Sequence, residues 1–122
     1  MGDFSTLTDI VRVARSNLDK GDWDYLVGAA DTEASLRRNR AALDSWTFLP
    51  RILRDVSDVK TATQMLGQTL RIPVLLPPIG SVQAFTEDGG TAVAQAAADF
   101  GVLQILSSSC MPDFETVAQE VP

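Results

Sequence analysis

The chain has 122 residues, enough for one ordinary domain and too few for two. It is 45% apolar and 21% charged, a globular composition that argues against disorder. Its 10 basic and 16 acidic side chains leave a formal net charge of -6 with no basic stripe for nucleic acid. The lone cysteine and the absence of histidine exclude, within these residues, an internal disulfide, a multi-cysteine or histidine-ligated metal site, and a histidine-assisted nucleophile.

Met1 to Ser5 carries no basic region ahead of an apolar core, so it is not read as a secretory signal. Gly2 with Thr6 matches a myristoylation pattern only at the level of chance. No apolar run reaches the ~20 residues of a spanning helix. The longest, Ile72 to Val82, is interrupted by Pro73, Pro77 and Pro78. A cytoplasmic setting is the expectation.

Leu7, Ile10, Val11, Ala14 and Leu18 form one apolar stripe at helical spacing. Ser5 or Thr6 can cap this first helix, and Gly21 is expected just past its end. A short second helix holds Trp23, Tyr25 and Leu26 before Gly28. A third starts after Asp31 or Thr32 and carries Leu36, Ala41, Ala42 and Leu43. Trp23 and Trp46 are read as packing residues. Thr47 to Leu49 is expected to be extended, because Pro50 disfavours the helical region for its predecessor. Thr61 to Leu66 and Thr69 to Ile72 flank Gly67-Gln68, which reads as a hairpin with a tight turn.

Pro73 to Pro78 then shows apolar residues without alternation, the pattern of a strand buried on both faces. Asp88 to Phe100 is an alanine-rich helix that places Val93, Ala96, Ala97 and Phe100 inward and ends at Gly101. Val102 to Leu106 is a second buried strand, and Pro112 to Gln119 a second helix with Phe114 and Val117 on one face. This order predicts a parallel α/β sheet. Residues 1–70 are therefore read as helices and a hairpin, and residues 71–122 as two βα units.

In such sheets ligands bind at the carboxyl ends of the strands. Those ends are Pro77-Pro78-Ile79-Gly80-Ser81 and Leu106-Ser107-Ser108-Ser109. Gly80 either lets a flat ring approach the backbone or serves a turn. The serines either meet a ligand or cap the loop. Asp88-Gly89-Gly90-Thr91 reads as a helix start rather than a phosphate cradle, since it lacks the fingerprint spacing and its acids repel an anion. Cys110 reads as a small residue after the strand. The phenol of Tyr25 either meets a ligand carboxylate or points to water.

Taken in order, these segments resemble the N-terminal part of the FMN-dependent 2-hydroxy acid oxidase and dehydrogenase family, which includes glycolate oxidase, lactate monooxygenase and mandelate dehydrogenase. The resemblance is carried by Tyr25-Leu26-Val27-Gly28-Ala29-Ala30-Asp31-Thr32-Glu33, by Asn39-Arg40 with Ala42, and by Leu49-Pro50-Arg51-Ile52-Leu53-Arg54-Asp55-Val56. It continues through Leu66-Gly67, Ile72-Pro73, Pro77-Pro78-Ile79-Gly80, Asp88-Gly89 and Leu106-Ser107-Ser108. Gly80 stands where many relatives carry alanine, Pro77 replaces a common alanine, and Glu87-Asp88 falls where a His-Pro-Glu-like run is usual.

The resemblance implies a TIM (β/α)8 barrel, of which residues 71–122 are the first two βα units and residues 1–70 a preceding helical and β-hairpin extension. It implies FMN as cofactor, with the backbone of Pro78, Ile79 and Gly80 against the flavin ring and the Ser107 hydroxyl bonded to it. It assigns Tyr25 to the carboxylate of a small 2-hydroxy acid. No catalytic residue of the family falls in these residues, and its histidine and arginine are expected beyond residue 122. A complete barrel needs about 250 residues. The expected partners are thus the remainder of the barrel, in the same or another chain, and further copies when the barrel is complete. A non-catalytic module that pairs with another chain is the alternative. A flavodoxin-like domain fits poorly, because the first 70 residues do not alternate as it requires.

Overall fold

Thr6 and Asp9 start the first helix by capping each other. The Thr6 hydroxyl accepts from the Asp9 N–H at 3.3 Å, and the Asp9 carboxylate accepts from the Thr6 N–H at 3.0 Å. This reciprocal pair satisfies donors that a helix start leaves unpaired. α1 spans Leu7–Asn17 and ends at Leu18. α2 (Lys20–Val27) begins at once, because the Asp19 carboxylate accepts from the Asp22 N–H at 2.8 Å. Gly21, expected to close the first helix, therefore lies in the first turn of the second. Gly28 stops α2, its N–H donating to the Asp24 carbonyl at 2.9 Å. α3 covers Ala34–Asp44 and is entered through Asp31 and Glu33, both in the left-handed region.

The computed structural model describes residues 4–122, so the signal and myristoylation readings at Met1 to Asp3 lie outside the described residues. The chain forms two compact units, Met1–Arg54 and Asp55–Pro122. In the first, no residue of α1, α2 or α3 is buried, and the stripe of Leu7, Ile10 and Val11 stays open. Trp23 is half-buried, with the Arg15 guanidinium 4.9 Å from its ring centre. Trp46 does not pack as expected: it is 82% exposed. Residues 46–62 form neither helix nor strand, and most apolar side chains there are exposed.

The second unit opens with an antiparallel hairpin of β1 (Thr63–Met65) and β2 (Gln68–Leu70). Met65 pairs with Gln68, which shifts the turn by one residue from the expected Gly67-Gln68 to Leu66-Gly67. Both turn residues have positive φ, 51° and 79°, as a two-residue turn matched to strand twist requires. The hairpin belongs with the βα units rather than with the helices. Leu70 is fully buried, and the Arg71 N–H donates to the Gly101 carbonyl at 2.8 Å.

β3 (Leu75–Leu76) and β4 (Leu103–Gln104) pair in parallel, Leu75 opposite Leu103 and Leu76 opposite Gln104. α4 (Gly89–Phe100) makes the crossover, giving the expected strand–helix–strand order. The strands are shorter than expected. Pro73, Pro77 and Pro78 supply no N–H, and each strand has a hydrogen-bonded neighbour on one side only. Burial on both faces is likewise not met among the described residues: Leu75, Leu76 and Leu103 are half-buried and Ile105 is exposed.

α4 ends at Gly101 (φ 84°), where the Val102 N–H donates to the Ala97 carbonyl and the Gly101 N–H to the Ala98 carbonyl. Of its expected inward face, Ala97 is buried and Val93 half-buried, but Ala96 and Phe100 are exposed. Phe100 instead lies under the Arg71 guanidinium, 4.8 Å away. α5 (Phe114–Glu120) is capped by Asp113, whose carboxylate accepts from the Thr116 N–H at 2.9 Å. Val117 is buried, while Phe114 is exposed along a groove of about 360 Å³ shared with Ala94, Ala98, Ala118 and Val121. No helix among the described residues is long and apolar enough to cross a membrane.

Candidate functional site

The parallel register brings the carboxyl ends of β3 and β4 side by side. After Leu76 the chain runs through Pro77 and Pro78 to Ser81, whose left-handed conformation (φ 59°) turns it into a 3-10 turn at Val82–Ala84. After Gln104 it runs to Ser107, Ser108 and Ser109. The Ser81 N–H donates to the Ser109 carbonyl at 3.0 Å, so the two ends are joined directly.

Gly80 sits at this junction. A Cβ there would lie 3.3 Å from the Ser109 Cβ and 3.7 Å from the Ser107 Oγ. Its φ is not in the left-handed region, so the glycine is not required by a turn. Its missing side chain lets the two loops close on each other. Ser107 is half-buried, and its hydroxyl accepts from the Ser109 N–H at 3.2 Å. A hydroxyl that accepts one bond keeps its own proton to donate. Pro78 and Ile79 are exposed beside it. The sequence-derived residues Pro78, Ile79, Gly80 and Ser107 thus share one end of the strand pair.

Tyr25 belongs to the first unit. It is 67% exposed on α2, in a shallow cleft with Asp24, Gly28 and Ala29. Asp88-Gly89-Gly90-Thr91 opens α4 as expected, but its Gly90 N–H already donates to the Met111 carbonyl at 2.8 Å. That bond and the adjacent Glu87 and Asp88 leave no phosphate cradle there. Cys110 is buried, with its Sγ 3.6 Å from the Met111 carbonyl. Among the described residues no cluster of three acidic, cysteine or histidine side chains is placed to hold a metal ion.

The residues present fit one part of a flavin. An exposed stretch of main chain beside a hydroxyl donor suits the polar edge of the ring system, whereas nothing here suits its phosphate. Sequence reasoning named Ser109 only as a loop serine and missed Gln83 and Met111, which tie the two loops together. The partners Gln83 and Met111 are 28 residues apart, and no local pattern links them.

Comparison with known proteins matches residues 14–122 to the FMN-dependent dehydrogenase family. A 4-hydroxymandelate oxidase from Amycolatopsis orientalis is 36% identical over 115 residues, 94% of this chain and 32% of that protein. Glycolate oxidase 5 from Oryza sativa subsp. japonica is 34% identical over 122 residues, 100% of this chain and 33% of that protein. A mandelate oxidase crystal structure with (S)-4-hydroxymandelic acid superimposes with a TM-score of 0.90 at 35% identity, covering 96% of this chain and 33% of that one. The chain spans about a third of the length of these relatives.

Proposed function

The chain belongs to the FMN-dependent dehydrogenase family, and from that premise we propose that it acts in the oxidation of a small 2-hydroxy acid to the 2-oxo acid. Residues 71–122 would supply the first two βα units of a (β/α)8 barrel, and residues 1–70 the helices and the hairpin that precede them in the chain. FMN, when bound, would supply the hydride acceptor for the substrate α-hydrogen. The backbone of Pro78, Ile79 and Gly80 would lie against its ring, and the Ser107 hydroxyl would donate to it. A main-chain N–H of Ile79 or Gly80 would stabilise negative charge on the ring without having to reorient. The Tyr25 phenol would hold the substrate carboxylate. Removal of the substrate hydroxyl proton needs a base, a role that the family resemblance gives to a histidine, which these 122 residues lack.

The observation that best supports this reading is the junction of Gly80 with Ser107 at the carboxyl ends of adjacent parallel strands. The test is anaerobic mixing of the FMN-loaded full-length protein with glycolate, lactate and mandelate in turn. Bleaching of the flavin absorption by at least one is expected. A flavin-loaded protein that none of them reduces would overturn the proposed chemistry.

A further inference from the structure

The main chain of Met111 is held through both its N–H and its carbonyl. Its N–H donates to the Gln83 Oε1 at 3.0 Å, and its carbonyl accepts from the Gly90 N–H at 2.8 Å. Gly89 adds a steric reason for this fit, since a Cβ there would come within 2.0 Å of the Met111 carbonyl oxygen. Two residues earlier on each loop, the Ser81 N–H donates to the Ser109 carbonyl at 3.0 Å. Residues 81 and 83 of one loop therefore hold residues 109 and 111 of the other, like two rungs. Of these ties, only the one from Gln83 comes from a side chain.

We propose that Gln83 is a positioning residue: by holding Met111 it fixes the loop from Ser107 to Cys110 against the loop from Pro78 to Ser81, and so sets the Ser107 hydroxyl relative to the Gly80 backbone. The proposal rests on the flavin reading of those two strand ends. Gly80 and Ser107 lie one and two residues from the rung at Ser81 and Ser109, so loss of the neighbouring rung is felt at both. Gln83 is exposed, so replacing it removes a hydrogen bond without opening a core.

The test compares Gln83→Leu, which has no acceptor, with Gln83→Glu, which keeps both the length and an acceptor. Two quantities are read on the full-length protein. One is amide hydrogen exchange at Met111 without flavin. The other is the FMN dissociation constant with the visible flavin spectrum. Gln83→Leu is expected to speed Met111 exchange about 3- to 10-fold, to weaken FMN binding by a similar factor and to shift the flavin bands. Gln83→Glu is expected to restore all three. Unchanged exchange in Gln83→Leu would show that the clamp is absent. Faster exchange with unchanged FMN affinity and spectrum would show a clamp that does not position the site, and would overturn the proposal. An unsubstituted protein that takes up no FMN would remove the functional reading and the positioning role with it, a failure told apart by the flavin-free exchange result.

Discussion

One side chain and two glycines can be tested directly at single positions. Tyr25→Phe removes a hydroxyl proposed to meet a carboxylate. It should lower kcat/KM for the 2-hydroxy acid by roughly 1–3 kcal/mol of binding, the value of a hydrogen bond to a charged group, and leave FMN affinity unchanged. An unaltered kcat/KM would remove the assigned role. Gly89 and Gly67 form a matched pair, because both have positive φ but only one is crowded. At Gly67 (φ 79°) nothing lies within 4 Å of an added Cβ, so Gly67→Ala should cost only about 1 kcal/mol of backbone strain. At Gly89 (φ 48°) the same Cβ meets the Met111 carbonyl, so Gly89→Ala should cost roughly 2–4 kcal/mol. Urea midpoints of the two variants measure the difference, and equal shifts would contradict the crowding.

The elements differ in how local their causes are. In the hairpin, Leu66 occupies a left-handed position that suits asparagine better, and at 85% exposure its side chain packs against little. Leu66→Asn should therefore raise stability by about 1 kcal/mol, seen as a higher urea midpoint. In α5 the Thr116 N–H holds the Asp113 carboxyl below its ordinary value. A depressed folded value means that the cap is fully present above the unfolded carboxylate range and is lost as pH falls through the lowered one. The Thr116 amide resonance should move with that titration, and in Asp113→Asn, which caps without ionising, it should not. The Thr6 cap was legible in the sequence because a cap acts within one turn; the Asp113 cap, which starts the last helix at Phe114 and not at Pro112, was not read there. The strand–helix–strand order was legible from apolar runs between glycines and prolines. The length of β3 and β4 was not, because it depends on which strands stand beside them. Nor was the exposure of Trp46 and Phe100, because an aromatic residue shows that burial is favourable and not what is available to cover it. The candidate residues Gly80 and Ser107 were found through their place at strand ends, while the clamp from Gln83 to Met111 has no sequence periodicity to reveal it.

At the scale of the molecule, many large apolar side chains among the described residues are exposed. The large side chains left open include Phe48, Leu49, Ile52 and Leu53 in one stretch. Surface of that kind is covered in a soluble protein or becomes a site of association. The 122 residues expressed by themselves should therefore self-associate, with sedimentation that depends on concentration; a monomer that unfolds cooperatively would contradict this. Within the second unit, the bond from Arg71 to Gly101 and the bond from Ser81 to Ser109 lie at opposite ends of the same pair of strands. Under the proposed function, stability and ligand binding would therefore have separate handles. A change in the hairpin would act at the end of the strand pair away from Gly80 and Ser107.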